Sequence, residues 1–118
     1  FIKGFVNQNE LRKFYKISDM LIQPSSYETW GLTINEALAS GIPVICTKDC
    51  GAYKDLIKGK KSGLGYNTGN IKELNFKMNS LLNNKFKFKK SNIKKIISEY
   101  TVNKTTNSIE KILYENQK

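Results

Sequence analysis

The stretch that decides the fold is residues 20–47, which read MLIQPSSYETWGLTINEALASGIPVICT. It begins with three apolar residues and Gln23, closed by Pro24, and this predicts a short buried strand that leads into a surface loop. Residues 31–40 place apolar side chains at helical spacing on one face and polar side chains on another, so they predict an amphipathic helix. Gly41 ends that helix, and Pro43 opens a second, β-branched strand.

The sequence on both sides continues the alternation of strands and helices. The strands predicted there are residues 1–6 and 62–66, and the helices are a segment from Asn7 or Asn9 to about Ser18 and residues 51–57, 70–82, 91–100 and 105–115. Short strands separated by single helices are typical of βαβ units. The sequence therefore predicts an α/β fold, with a Rossmann-like parallel sheet, helices on both faces and further helices at the C-terminus.

The composition predicts a globular domain without a membrane span. The chain has 118 residues and a net charge of +10, and no apolar run approaches the roughly 18 to 20 residues that cross a bilayer. The sequence contains no histidine, so Cys46 and Cys50 predict reduced thiols in a cytosolic protein rather than a zinc site or a disulfide framework. The chain opens at Phe1 inside an apolar run and without an initiator Met, which predicts a piece of a longer protein.

The loop after Gln23 is the predicted ligand site. In open α/β sheets, ligands bind beyond the carboxyl ends of the strands, and this loop runs from such an end to a helix N-terminus. Unpaired amides of residues 30–33 predict an anion site, and Gly31 lets the backbone approach a phosphate closely. The sequence contains neither a P-loop pattern nor a dinucleotide-binding glycine pattern. The phosphate-binding site is therefore predicted to be incomplete in this chain.

Two glutamates flank the start of this helix. Glu36 lies on its polar stripe, where a carboxylate is able to accept two hydrogen bonds from a ribose diol. Glu28 precedes the helix, and the loop can fold it toward the same cavity, near sugar hydroxyls or the anomeric centre. Two carboxylates would repel a diphosphate, so cations supplied from elsewhere are predicted. On composition alone, both glutamates would be ordinary solvated side chains.

These residues resemble a known family of enzymes. Glu28 and Glu36 are separated by seven residues, Trp30-Gly31-Leu32 lies between them, and residues 35–45 read NEALASGIPVI. This region is similar to the E-x7-E region of retaining GT-B glycosyltransferases, the group called glycosyltransferase family 4-like or glycosyl transferases group 1. The resemblance covers about residues 1–70, and it implies the C-terminal, donor-binding half of a GT-B fold.

The resemblance implies a role for each residue of this region. Glu36 would bind the nucleotide ribose, and Glu28 would contact the donor sugar as the catalytic residue without acting as a covalent nucleophile. The other donor-binding residues would be Trp30, Gly31, Leu32 and Thr33. The family needs no metal and no cofactor besides the NDP-sugar substrate, and it neutralises the diphosphate with an Arg and a Lys that would lie upstream of this chain. The Trp30 side chain itself is predicted to pack rather than to stack on a base.

The same resemblance implies an organisation and an activity. Residues 1–84 would form a nucleotide-sugar-binding domain that lacks its first strands, and residues 85–118 would form basic helices packed on it. With an N-terminal acceptor-binding domain, the enzyme would act in the cytoplasm, in bacterial-type cell-surface glycan biosynthesis. It would transfer a sugar to a polysaccharide, a lipid-linked sugar or a lipid, and the fragment alone would be inactive. The alternative is a non-catalytic module, either a basic domain for a membrane surface or nucleic acid or a scaffold remnant.

The run from Lys85 to Lys95, KFKFKKSNIKK, holds six lysines in eleven residues and no acidic residue. Three interpretations of this run stay open. A solvated helix face is the default interpretation, and a patch for anionic lipid headgroups at the inner face of the membrane is the second. Nucleic acid comes third and is not expected as a partner. The alternating Phe and Lys residues are also typical of a half-buried strand.

Overall fold

The centre of the fold is a three-stranded parallel sheet. The computed structural model describes residues 3–83 and 87–115. Its strands are β1 Leu21–Gln23, β2 Val44–Thr47 and β3 Gly63–Tyr66, which lie side by side in the order β1-β2-β3. Every residue of the central strand β2 is buried, as expected for a parallel strand covered on both faces. The predicted α/β fold with a parallel sheet is confirmed.

Five α-helices and one π-helical turn surround this sheet in the described part of the chain. They are α1 Gln8–Ile17, α2 Leu32–Ser40, the π-helical turn Tyr53–Ile57, α3 Ile71–Leu82, α4 Lys90–Ile97 and α5 Val102–Glu115. Side-chain caps fix two of the helix starts, because Asn7 accepts a hydrogen bond from the Glu10 amide and Asn70 accepts one from the Glu73 amide. Asn7, rather than Asn9, is therefore the N-cap of α1.

The core lies between α2 and the sheet. Ile34, Ala37 and Leu38 on the inner face of α2 are fully buried and belong to the same cluster as Val44 of β2 and Ile93 of α4. The prediction that Gly41 ends α2 is confirmed, since its φ is 80° and its amide donates to the carbonyl of Leu38 at 2.9 Å. This packing fixes α2, and with it the direction in which the N-terminus of the helix points.

Three boundary predictions are corrected. The predicted opening strand is wrong for residues 3–6, which form no strand and leave the Phe5 side chain 96% exposed; Phe1 and Ile2 lie outside the described residues. No described strand lies beside residues 3–6, and a strand without a neighbour has no partners for its backbone groups. The helix predicted after Gly51 is the π-helical turn. The helix predicted at residues 91–100 begins at Lys90 and already ends at Ile97, and the last helix begins at Val102 rather than at residue 105.

The two C-terminal helices differ in how they pack. α4 packs against α2 and buries Ile93 completely, whereas α5 has no buried side chain. The division of the chain at residue 84 stays a prediction, because residues 84–86 lie outside the described part. No helix in residues 3–83 and 87–115 combines the length and the apolar character that crossing a bilayer requires.

Candidate functional site

The loop between β1 and α2 comprises residues 24–31 and is called the site loop below. Its first half is held at the carboxyl ends of the strands. The Thr47 hydroxyl, at the end of β2, donates to the carbonyl of Ser25 at 2.6 Å. Gln23, at the end of β1, donates from Nε2 to the Ser25 hydroxyl at 2.8 Å and accepts from the Thr33 hydroxyl at 2.9 Å. These bonds tie both strand ends to the start of α2. The Thr33 hydroxyl is therefore engaged in this network.

The second half of the site loop lies against the turn that follows β2. Glu28 forms an isolated parallel bridge with Cys50. The Gly51 amide donates to the Glu28 carbonyl at 2.9 Å, and the Ala52 amide donates to the Trp30 carbonyl at 2.9 Å. The contact is so close that a Cβ on Gly51 would lie 1.9 Å from the carbonyl oxygen of Thr29. The backbone of Glu28 is therefore held by hydrogen bonds that the sequence pattern did not reveal.

The start of α2 has the features of an anion site. Gly31 is its N-cap with a φ of 94°, a conformation that favours glycine, and no side chain caps the helix. The first amides of a helix have no partner within it, and the helix dipole places partial positive charge there. The Leu32 side chain is 73% exposed, so this end of the helix is open on its outer side. An anionic group placed beyond residues 31–33 would meet backbone donors.

The Trp30 side chain packs inside the molecule. Its indole Nε1–H donates to Oδ1 of Asn35 at 2.8 Å, and its ring centroid lies 6.3 Å from that of Tyr100 at a tilt of 40°. The ring also packs against the buried core. Its backbone amide faces Oε1 of Glu28 at 3.4 Å. The indole therefore acts as a packing group in this structure.

Glu36 faces α1 on the outer side of α2. Its Oε2 accepts a hydrogen bond from the Tyr15 hydroxyl at 3.1 Å, and its Oε1 lies 3.5 Å from Nε2 of Gln8. Burial, the hydrogen bond to Glu36 and the negative charge of that carboxylate raise the pKa of Tyr15 to about 12. Tyr15 therefore stays protonated near neutral pH and keeps donating. Tyr15 is buried in the core cluster, and no pattern in the sequence predicts its contact with Glu36.

Two clefts meet at Glu36. A cleft of about 190 Å³ lies on the α1 side and includes Gln8, Arg12 and Tyr15. A cleft of about 450 Å³ lies on the α4 side and is bounded by Lys94 and by Ile97, Tyr100 and Thr101. Both clefts include the Glu36 side chain, so this half-buried carboxylate remains open to a ligand from two directions.

Another cleft of about 450 Å³ lies at the opposite end of the sheet. It is lined by Met20 and Pro43, which precede β1 and β2, and by Leu81, Leu82 and Phe88. It contains none of the predicted site residues, and parallel sheets bind ligands at the carboxyl ends of their strands rather than at the amino ends. In the described part of the chain, no three Cys, Asp or Glu side chains lie close enough together to hold a metal ion. The absence of a metal requirement stays a prediction.

Comparison with known proteins identifies the family. The sequence model of the family described as glycosyl transferases group 1 matches residues 1–101. An uncharacterized glycosyltransferase of Methanocaldococcus jannaschii is 39% identical over 61 residues, which are 52% of this chain and 15% of that protein. The sulfoquinovosyl transferase of Arabidopsis thaliana is 32% identical over 85 residues, which are 70% of this chain and 16% of that protein.

A third relative extends the range of named activities. The alpha-monoglucosyldiacylglycerol synthase of Acholeplasma laidlawii is 36% identical over 64 residues, which are 54% of this chain and 16% of that protein. The chain thus spans about a sixth of the length of each of these three relatives. The match of the family model over residues 1–101 covers most of the chain, including all of the site loop and α2. The chain therefore belongs to the glycosyl transferases group 1 family of glycosyltransferases.

Proposed function

We propose that this chain is the donor-binding part of a retaining glycosyltransferase that takes a sugar from an NDP-sugar. The observation that carries the proposal is the juxtaposition on α2 of an uncapped N-terminus and an accessible carboxylate. The amides of residues 30–33 hold the diphosphate and the sugar, and Glu36, little more than one turn along the helix, accepts hydrogen bonds from the ribose hydroxyls. Glu28 contacts the donor sugar near its anomeric carbon.

In the proposed transfer, the bond between the anomeric carbon and the diphosphate oxygen breaks, and the NDP leaves. The acceptor hydroxyl attacks from the same face of the sugar, its oxygen bonds to the anomeric carbon, and its proton leaves with the departing phosphate. Negative charge develops on the leaving oxygen, and the N-terminus of α2 stabilises it there. Glu28 favours the positive charge that develops on the sugar ring.

Electrostatics explains why the chain alone is proposed to be inactive. A diphosphate beside the carboxylates of Glu28 and Glu36 needs cations close by, and the site loop itself carries no Lys or Arg. We propose that an upstream part of the protein supplies those cations, and that a separate acceptor domain binds a polysaccharide, a lipid-linked sugar or a lipid. No metal and no cofactor enter this proposal.

Nucleotide titration tests the site directly. We expect UDP, GDP or ADP to shift the backbone amide NMR signals of residues 28–36, with the largest shifts at residues 31–33. Uridine, guanosine and adenosine are the matched controls, because they retain the ribose but lack the phosphates. They should affect Glu36 and its neighbours more than residues 31–33. If no nucleotide shifts any amide of residues 28–36, the proposed donor site is wrong.

A second proposal concerns the lysine-rich run. We propose that the enzyme lies in the cytoplasm, at the inner face of the membrane, with the Lys85–Lys95 run against anionic lipid. In the described part of this run, Lys87, Lys89, Lys90, Lys94 and Lys95 are exposed. Phe88 instead packs against the core, so charge rather than an inserted Phe88 ring would drive the association. The alternative non-catalytic basic module would use the same surface without binding a nucleotide.

Vesicle sedimentation tests the membrane proposal. We expect the chain to pellet with phosphatidylglycerol vesicles at low salt. The double variant Lys89→Glu/Lys95→Glu should bind these vesicles at least about 30-fold more weakly, because each lysine near an anionic surface contributes about 1 kcal/mol. The matched control Lys13→Glu/Lys16→Glu changes the net charge equally on exposed positions of α1. Equal losses in both variants would show a non-specific effect of net charge, and no pelleting of the parent chain would exclude the membrane partner.

A further inference from the structure

Cys50 contacts the site loop from the turn that follows β2. Its side chain is buried, with 2% of its surface exposed. Its thiol lies 3.2 Å from the Trp30 carbonyl oxygen and donates to it, and the Ala52 amide donates to the same oxygen at 2.9 Å. One carbonyl of the site loop is therefore held by two donors from the turn after β2.

The same sulfur also fills the space behind Gly31. An ideal Cβ built on Gly31 would lie 3.0 Å from the Cys50 sulfur and 3.3 Å from Cγ of Glu28. Because the Cys50 backbone also pairs with Glu28, a single residue contacts the loop at Glu28, at Trp30 and at the first residue before α2.

The chemical state of the thiol suits a hydrogen-bond donor. Burial raises the pKa of Cys50, the nearby Ala52 amide lowers it, and the negative charge of Glu28 raises it further, with a net rise. The thiol is therefore protonated near neutral pH. A buried, protonated thiol is a poor nucleophile, which argues against a chemical role for Cys50 and for a structural one.

The geometry of the peptide bond links this contact to the ligand. The described peptide bonds are all trans, so the Gly31 N–H points away from the carbonyl of Trp30 within the same rigid plane. Fixing that carbonyl toward Cys50 and Ala52 therefore turns the Gly31 amide to the opposite side.

We propose that Cys50 is a positioning residue of the donor site, which holds the Trp30–Gly31 peptide so that the Gly31 amide faces the diphosphate of the nucleotide sugar. This inference rests on the proposed function. The thiol touches no substrate; it acts through the peptide plane that it fixes. Donor affinity should consequently depend on the thiol hydrogen even where the folded state survives its loss.

Three variants of the 118-residue chain test this role. Cys50→Ala removes the donor, Cys50→Ser retains a donor, and Cys46→Ala removes a second buried thiol, from the central strand β2. We expect Cys50→Ala to raise the Kd of the nucleotide about 3- to 10-fold, the loss of one neutral hydrogen bond, and to move the Gly31 amide NMR signal in the nucleotide-free chain. Cys50→Ser should restore most of the affinity. If the alanine variant does not fold, Cys50→Val fills the space without a donor and takes its place.

The Cys46→Ala control separates positioning from stability. We expect it to lower the free energy of unfolding by at least as much as Cys50→Ala and to leave the Kd within about 2-fold of the parent value, because a cavity in the core affects stability rather than the loop. If Cys50→Ala and Cys46→Ala have the same Kd, the role of Cys50 is overturned while the donor site stands. If the parent chain binds no nucleotide, the proposed function itself fails, and the role of Cys50 fails with it.

Discussion

Replacing Glu36 with alanine is expected to raise the Kd of the nucleotide about 100-fold. A carboxylate that accepts two hydrogen bonds from a vicinal diol contributes about 1.5 kcal/mol or more for each bond, because hydrogen bonds to charged groups are stronger than neutral ones. Alanine offers no acceptor at this position. Glu36→Gln retains one side-chain oxygen without the charge, so its Kd should lie between those of the parent and the alanine variant.

The measurement is an NMR or calorimetric titration with the nucleotide that perturbs the parent chain. Glu110→Ala on α5 is the matched control, because it removes the same charge from a helix that has no buried side chain, and its Kd should not change. The loss of Glu36 also deprives the Tyr15 hydroxyl of its acceptor, so the free energy of unfolding should fall by about 1 kcal/mol. An unchanged Kd for Glu36→Ala would refute the ribose contact.

Replacing Gly51 with alanine is expected to lower the free energy of unfolding by about 3 kcal/mol, at the upper end of the usual cost of overpacking. A Cβ at this position would lie 1.9 Å from the carbonyl oxygen of Thr29 and 2.8 Å from its carbon. Both atoms are backbone, so no side-chain rotation relieves the clash. The loop has to move away, and the two hydrogen bonds that the Gly51 and Ala52 amides donate to it are weakened.

Urea denaturation with Gly4→Ala as the control checks this expectation. A Cβ on Gly4 would meet no atom within 4 Å, and Gly4 has no positive φ, so its replacement should change the free energy of unfolding by less than about 0.5 kcal/mol. Equal urea midpoints for the two variants would show that the site loop does not depend on close contact with the turn after β2.

The central βαβ unit was predictable because its signals are local. The burial pattern of α2, the left-handed Gly41 and the β-branched β2 all follow from residues that are adjacent in sequence or one helical turn apart. The strand predicted at residues 1–6 is wrong over its described part, residues 3–6, for the converse reason. An apolar run indicates a preference for burial, but it does not show whether a neighbouring strand is there to pair with.

Sequence patterns do not predict the contacts that shape the candidate site. The hydrogen bond from the Gly51 amide to the Glu28 carbonyl joins residues from two separate loops. Neither the spacing nor the periodicity of the sequence predicts such a contact. Tyr15 lies one helical turn from Leu11 and packs in the core. Its hydrogen bond to Glu36 depends on how α1 lies across α2. The residues of the site were thus named from sequence, whereas the contacts that hold them required the three-dimensional structure.

The contact between Trp30 and Tyr100 has a consequence for the order of folding. The two rings belong to residues 70 positions apart in sequence. The Tyr100 hydroxyl also donates to the Asp55 carbonyl, 45 positions away. Closing loops of this length costs more entropy than forming the local βαβ unit, so such contacts form late. During synthesis from the N-terminus, the site loop therefore emerges long before the tyrosine that packs on it. We expect the ligand site to be among the last parts of the chain to reach its final shape.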